Sequence, residues 1–183
     1  MARVILVRHG EASAGWGDDP DPGLSAIGRQ QAEAVAEVLE PLGPCDVVTS
    51  PLRRCRETAA PLAQRWGVEP RVVEAVSELP SPPRLPTAER PSWLLSLADR
   101  TWDAADPETR DWRDHLVSTV AALSRDTVVF THFVAVNVIV GAALGDDRVF
   151  VARFGNCSRT VLEVVGGTIT VVEQGAEAES RIT

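Results

Sequence analysis

Lysine and tyrosine are both absent from this 183-residue chain, so its 18 basic residues are all arginines. Without lysine, the chain cannot form a Schiff base or hold a phosphate with a P-loop lysine. Without tyrosine, it has no tyrosine nucleophile or tyrosine general acid. Cationic and acid–base chemistry must therefore come from arginine, the carboxylates and three histidines.

Cysteine and long apolar runs are also scarce. The three cysteines lack metal-site spacing, and their odd number predicts reduced thiols. No apolar run is long enough to span a membrane, and the apolar N-terminal run is too short for a signal peptide and has no cleavage site. The net charge of −8 argues against a nucleic-acid or membrane surface. We therefore expect a cytoplasmic protein that binds neither nucleic acid nor membrane.

The chain is expected to form one α/β domain over residues 1–183, because neither a repeat nor a linker divides it. The predicted strands are 4–7, 46–49, 71–74, 127–131, 149–153, 160–165 and 168–173. The predicted helices are 25–39 with Ser25 as N-cap, 50–66 with Ser50 as N-cap, 106–123 and 133–144. Strands that alternate with helices predict a mostly parallel sheet.

Proline sets one segment apart. Five prolines between residues 80 and 91 predict a stiff, extended loop, which belongs to a small cap insert at about 77–105. His115 lies in the helix 106–123 beside its apolar stripe and is interpreted as structural or solvated. The small, acidic tail from Gln174 is expected to fray.

Arginine and histidine stand where three predicted strands end. Arg8 and His9 follow the first strand, Arg54 lies just past the second, and His132 directly follows the strand 127–131. Parallel strands have their carboxyl ends at one edge of the sheet, where ligands bind. We expect these four side chains to share one pocket.

The four side chains suit phosphoryl transfer. Arginine offers charged donors in a fork that matches phosphate, and histidine is a nucleophile near neutral pH. In this hypothesis Arg8 and Arg54 bind the phosphoryl group, His9 attacks phosphorus, and His132 donates to the equatorial oxygens. A carboxylic acid protonates the leaving oxygen, and water then hydrolyses the phosphohistidine.

Four segments resemble the histidine phosphatases, or phosphoglycerate mutase-like superfamily. They are residues 6–11, 24–32, 50–59 and 130–133. In this pattern the pocket arginine of the third segment is Arg54, whereas Arg53 and Arg56 are interpreted as a solvated face partly paired with Glu57. The resemblance implies a three-layer α/β/α sandwich with a mostly parallel central sheet. It also implies a phosphohistidine on His9, no cofactor and no metal.

Two departures from the family pattern concern the acid and the substrate. The glutamate that often follows the third strand is matched by Glu78, but prolines replace the usual glycine-rich stretch after it. Glu78 is therefore the first candidate for the general acid, ahead of Glu74 and Glu11. Residues 13–22 lack the asparagine of the mutase and sugar bisphosphatase branches, and the long mutase cap is missing. Both absences favour a phosphatase.

The predicted function is a metal-independent phosphatase, a phosphoric monoester hydrolase of the histidine acid phosphatase type. Its substrate would be a phosphorylated small molecule or a phosphoprotein, including phosphohistidine. The second hypothesis is a catalytically weak member that binds phosphorylated ligands. The third is a phosphoglycerate mutase-like phosphotransferase, for which Arg84 and Arg90 are the available extra cations. A β-edge near the C-terminus would allow a homodimer.

Overall fold

The computed structural model describes residues 1–15 and 19–178, which build a six-stranded sheet between two layers of helices. The strands are β1 Ala2–Arg8, β2 Asp46–Thr49, β3 Arg71–Val72, β4 Thr127–Thr131, β5 Arg159–Val165 and β6 Thr168–Glu173. The helices are α1 Ala26–Leu39, α2 Arg53–Trp66, α3 Arg90–Leu95, α4 Pro107–Ala121 and α5 Phe133–Leu144. The strand order is β3-β2-β4-β1-β5-β6, with β1 to β4 parallel and the β1–β5 and β5–β6 pairs antiparallel.

Side chains of β1 alternate between the two helical layers, as the two-residue period of a strand requires. Val4 and Leu6 pack into a core with α4 and α5, while Ile5 and Val7 pack into a core with α1 and α2. A strand covered on both faces needs an unbroken apolar run, which explains the sequence of β1. The predicted three-layer α/β/α sandwich is confirmed.

The helix starts agree with the sequence for α1 and differ for α2. Ser25 caps α1, and its hydroxyl accepts a hydrogen bond from the Gly28 N–H at 2.9 Å. Ser50 does not cap α2, which begins three residues later at Arg53. The Ser50 hydroxyl accepts from the Leu52 N–H at 3.2 Å, so residues 50–52 form a turn before the helix.

Two predictions for the last third of the chain were wrong. Residues 149–153 form no strand, because the Asn137 side chain of α5 accepts from the N–H groups of Val151 and Ala152 at 2.8 and 3.0 Å. Residues 174–178 are held rather than frayed, since the Ala178 N–H donates to the Arg153 carbonyl at 2.7 Å. Residues 179–183 of the predicted tail, and residues 16–18 of the predicted loop, lie outside the described part of the chain.

The proline-rich cap lies over the carboxyl edge of the sheet. Residues 77–86 contain neither helix nor strand, as their prolines predict, and α3 begins with Pro91 in its first turn, where its missing N–H is harmless. Leu94 and Trp102 are buried against the core beneath. Within residues 1–15 and 19–178, no helix has both the length and the apolar character needed to cross a membrane.

Candidate active site

The carboxyl ends of β1, β2 and β4 lie side by side and define the position of the site. The His9 N–H donates to the Thr131 carbonyl at 2.9 Å, which extends the β1–β4 ladder by one residue. The Ser50 N–H donates to the Phe130 carbonyl at 3.1 Å and extends the β2–β4 ladder in the same way. These bonds fix where His9, Ser50 and His132 leave the sheet.

His9 has one ring nitrogen fixed and the other directed at an arginine. Its Nδ1 lies 2.7 Å from the Gly10 carbonyl oxygen, and a carbonyl can only accept, so Nδ1 carries the proton. The lone pair of Nε2 then accepts from Nε of Arg54 at 3.2 Å. Burial lowers the pKa of His9 well below its usual value, and the charges of Arg54 and Arg8 lower it further. A neutral imidazole with an unprotonated Nε2 is the form that can attack phosphorus, and here the Arg54 guanidinium occupies that lone pair.

Arg54 joins the two histidines. It is only 5% exposed, and besides its bond to His9 its Nη2 donates to Nδ1 of His132 at 3.2 Å. Its Nη1 is buried and has no hydrogen-bond partner among the described residues. A buried guanidinium without a carboxylate is costly unless an anion completes its bonding. This environment suits an anion receptor, and the phosphate-binding role of Arg54 stays a prediction. Arg53 is exposed and pairs with Glu57 at 2.6 Å as predicted.

Arg8 provides the second guanidinium. Its Nη1 donates to the Phe154 carbonyl at 2.6 Å, and its Cζ atom lies over the Phe133 ring, 5.2 Å from the ring centroid. Its Nε is buried and finds no partner within the described part of the chain. The carbonyl and the ring hold this side chain in position, and they leave donors for an anion.

His132 lies behind Arg54. It is fully buried, its Nδ1 accepts from Arg54, and its Nε2 donates to the Ser50 hydroxyl at 2.8 Å. Burial lowers the pKa of His132 well below its usual value, as do the charges of Arg54, His9 and Arg8. Both ring nitrogens are thus engaged, and the direct donor role expected for His132 stays a prediction. Burial also raises the pKa of the adjacent Cys55 thiol, which makes it a poor nucleophile.

Glu78 is a half-buried carboxyl at the entrance to the site. One oxygen accepts from the Leu79 N–H at 3.0 Å, and the other lies 3.5 Å from the Val134 nitrogen. Burial raises the pKa of Glu78, even though these hydrogen bonds and the charges of Arg54 and Arg8 act in the opposite direction. A carboxyl with a raised pKa can hold a proton for donation near neutral pH.

The side chains of Arg8, His9, Arg54 and Glu78 line one small cavity. We call it the His9 cavity; it has a volume of about 110 Å³. Its described lining is Arg8, His9, Ala12, Ala14, Gly15, Pro22, Arg54, Glu78, Leu94 and Phe133. His132 does not line it. A second cavity of about 500 Å³ lies under the cap and contains none of the predicted site residues.

The other candidates lie outside the His9 cavity. Glu74 is exposed and accepts from the Ser77 hydroxyl at 3.4 Å. Glu11 lines a neighbouring cavity of about 260 Å³, where its carboxylate accepts from Ser25 at 2.7 Å. Arg84 is exposed and Arg90 is half-buried, and neither lines the His9 cavity. His115 is exposed on α4, in agreement with its interpretation as solvated.

Sequence reasoning missed several residues that hold the site in place. The Asn156 side chain donates to the His9 carbonyl at 3.0 Å, and Thr58 accepts from the Gly10 N–H at 3.0 Å. Ser50 was expected to cap a helix and instead bonds to His132. The loop before β5, which carries Asn156, has no recognisable motif, so only the folded chain reveals its role. Thr58 lies on α2 four residues after Arg54, and that spacing is the one signal the sequence offers.

One known protein family matches nearly the whole chain. The family model of the histidine phosphatase superfamily (branch 1) matches residues 4–177. The chain belongs to this superfamily. The predicted family is thereby confirmed, and the match supports a phosphatase that acts through a phosphohistidine.

The chain matches only part of the length of several curated relatives. A probable phosphoglycerate mutase GpmB of Enterobacter sp. (strain 638) is 32% identical over 79% of this chain and 76% of its own. A glucosyl-3-phosphoglycerate phosphatase of Mycobacterium tuberculosis is 40% identical, over 38% of this chain and 33% of its own. The PE-PGRS family protein PE_PGRS11 of Mycobacterium tuberculosis is 42% identical over 42% of this chain, but this spans only 14% of that relative.

Solved structures share the fold over nearly the whole chain. The native structure of mycobacterial glucosyl-3-phosphoglycerate phosphatase superposes with a TM-score of 0.75 at 26% identity, covering 96% of this chain and 99% of that chain. A phosphoserine phosphatase from Entamoeba histolytica, in complex with 3-phosphoglyceric acid, gives 0.77 at 18% identity over 98% of both chains. At that identity the second match speaks for the fold alone.

Proposed function

We propose that this protein is a metal-independent phosphomonoesterase that works through a covalent phosphohistidine on His9. The observation that carries the proposal is the neutral His9 ring, whose unprotonated Nε2 accepts from Arg54 beside two guanidiniums that have donors with no partner among the described residues. Family membership supports the same chemistry. The finer class, a histidine acid phosphatase type, is part of this proposal.

In the first step, Nε2 of His9 attacks phosphorus while the bond from phosphorus to the leaving oxygen breaks. Arg8 and Arg54 neutralise the charge of the phosphoryl oxygens. The Gly10 carbonyl, which accepts from Nδ1–H, stabilises the positive charge that develops on the imidazole. Glu78 gives its proton to the leaving oxygen, so the product leaves as a neutral hydroxyl. His132 holds Arg54 through Nδ1, and its expected donation to the phosphoryl oxygens remains part of the proposal.

In the second step, the Glu78 carboxylate takes a proton from water as the water oxygen attacks phosphorus. The bond between Nε2 of His9 and phosphorus breaks, inorganic phosphate leaves, and both His9 and protonated Glu78 are restored. The position of Glu78 beside the arginines weakens the hypothesis of a member that only binds phosphorylated ligands. The absence of a second cation group from the described lining disfavours the mutase hypothesis.

The test is turnover of p-nitrophenyl phosphate in excess EDTA at about pH 6, for the wild type and for His9→Ala. We expect turnover that survives EDTA and is lost in the variant. Rapid quench with ³²P-labelled phosphomonoester should trap an acid-labile, base-stable phosphoenzyme in the wild type only. A wild type that binds vanadate without any turnover would support the binding hypothesis instead, and loss of activity in EDTA would contradict the metal-independent mechanism.

A further inference from the structure

The His9 cavity is divided into a charged half and an apolar half. Arg8, His9, Arg54 and Glu78 make up the charged half, where the phosphoryl group would bind. The other described lining residues, which would surround the leaving group, are Ala12, Ala14, Gly15, Pro22, Leu94 and Phe133. None of these side chains carries a charge or a strong hydrogen-bond donor.

The charges of the first half are already balanced by one phosphoryl group. Arg8 and Arg54 supply two positive charges, both histidines are held neutral by burial, and a phosphomonoester supplies up to two negative charges. The Glu78 carboxyl is uncharged while it keeps its proton, and it adds one negative charge when the proton is lost. No positive charge in the described lining remains for a second anionic group on the substrate.

The surroundings of the cavity oppose a second anion as well. Ala12, Ala14, Gly15 and Pro22 of the lining belong to residues 11–22, whose sequence has four acidic residues and no basic one. One of the four, Glu11, lines the neighbouring cavity. The cap cation Arg84 is exposed and does not line the cavity. A carboxylate next to the phosphoryl group would lose water on an apolar surface and face negative charge beyond it, and both effects cost binding energy.

We propose that the natural substrate is a phosphomonoester whose leaving group carries no negative charge. This inference rests on the proposed phosphatase function and narrows its substrate class. It separates the chain from proteins that act on phosphoglycerates or phosphoserine, where the leaving group bears a carboxylate. When the leaving group is a neutral or cationic alcohol, no unpaired anion lies in the apolar half of the cavity.

The test compares glycerol 3-phosphate with 3-phosphoglycerate, which share a carbon skeleton and differ in a hydroxymethyl group against a carboxylate. Each is measured for turnover and as a competitive inhibitor of p-nitrophenyl phosphate hydrolysis. We expect glycerol 3-phosphate to be favoured by at least about tenfold, as unpaired charge at a binding site requires. Equal inhibition, no inhibition by either compound, or a preference for 3-phosphoglycerate overturns the inference. If p-nitrophenyl phosphate itself is not hydrolysed, the proposed function fails, so the two failures are distinct.

A variant with an added cation checks the cause. Ala14 lines the cavity and is partly exposed, so a longer side chain can extend without entering the core. Ala14→Lys should raise the turnover of 3-phosphoglycerate relative to that of glycerol 3-phosphate by about fivefold or more. Ala14→Gln, which has a similar length and no charge, should leave this ratio of turnover unchanged. Hydrolysis of p-nitrophenyl phosphate by both variants shows that they fold, and an unchanged ratio in Ala14→Lys overturns the charge argument.

Discussion

At the scale of single residues, the candidate site lies where the parallel strands β1, β2 and β4 end. A buried strand that ends in Arg8-His9 and another that ends in His132 can be read from apolar runs alone, because parallel strands share a carboxyl edge. The hydrogen-bond partners that fix their tautomers could not be read in this way. Ser50 becomes the partner of the His132 ring only through tertiary packing, and so does Asn156, which bonds to the His9 backbone carbonyl; both residue types are common in loops.

Arg54 should control phosphate binding and turnover together. Arg54→Ala removes the bond to Nε2 of His9 and a buried donor that has no partner in the described part of the chain, so kcat/KM for p-nitrophenyl phosphate should fall by about a thousandfold or more. Inhibition by phosphate should weaken in parallel. The pKa of His9 should rise because a neighbouring positive charge is lost, which a proton NMR titration of the ring would detect.

Arg53→Ala is the matched control for this prediction. It removes an arginine from the same turn of α2, but one that is exposed and paired with Glu57. Its kcat/KM should stay within about threefold of the wild type, as expected for a surface ion pair. Equal losses in the two variants would show that α2 needs its total charge and not a specific guanidinium at position 54.

Glu78 should matter in proportion to the leaving group's need for a proton. Glu78→Gln keeps the shape and removes the acid, so kcat/KM for alkyl phosphates should fall by about a hundredfold or more. For p-nitrophenyl phosphate kcat/KM should change little, because its leaving group needs no proton and kcat/KM does not include the later hydrolysis of the phosphoenzyme. Because the pKa of Glu78 is raised, wild-type turnover of alkyl phosphates should decline as pH rises through that pKa, when the proton is lost. The same decline in the variant would identify another group as the acid.

At the scale of helices and strands, the residues at which they begin and end were harder to predict than their existence. The sheet strands β1, β2 and β4 and the helices around them follow from periodicity, and the cap prolines exclude regular structure in 77–86. The start of α2 at Arg53 did not follow, because Ser50-Pro51 is a strong helix-start signal that the bond from His132 to Ser50 overrides. The absence of a strand at 149–153 depends on Asn137, a single side chain on a distant helix.

Helix α1 packs closely against residues 10 and 11, which follow β1, and a larger side chain at the contact should disturb both. A Cβ on Gly28 would lie 2.0 Å from the Glu11 carbonyl oxygen, and one on Gly10 would lie 2.7 Å from the Gly28 carbonyl oxygen. Gly→Ala within a helix ordinarily stabilises a protein. Here Gly28→Ala must push the 9–11 segment away from α1, so the free energy of unfolding should drop by about 1–3 kcal/mol.

Activity should fall further than stability explains, because His9 moves with the same segment. Chemical denaturation and kinetics at a temperature where the variant is fully folded would separate the two effects. Gln30→Ala, at an exposed position of the same helix, is the control and should change neither. An unaltered kcat in folded Gly28→Ala would mean that the segment tolerates displacement.

At the scale of the whole molecule, the two buried histidines should make stability depend on pH. Their pKa values are lowered in the folded protein, so between those values and about 6.5 only the unfolded chain takes up protons. The free energy of unfolding should therefore fall as pH falls through this window, by up to about 1.4 kcal/mol per pH unit for each histidine. The raised pKa of Glu78 has the opposite sign, since its folded form keeps a proton that the unfolded form loses.

Denaturant unfolding from pH 7 downward, in a buffer without phosphate so that no ligand stabilises the folded state, would measure this dependence. The double variant His9→Gln, His132→Gln should lose stability more gradually with falling pH than the wild type, whatever its absolute stability. Glu78→Gln should lose it more steeply, because the opposing group is gone. Parallel curves for the wild type and the double variant would mean that the histidines are not held neutral in the folded protein, and the nucleophile assigned to His9 would then lack the lone pair on which the mechanism depends.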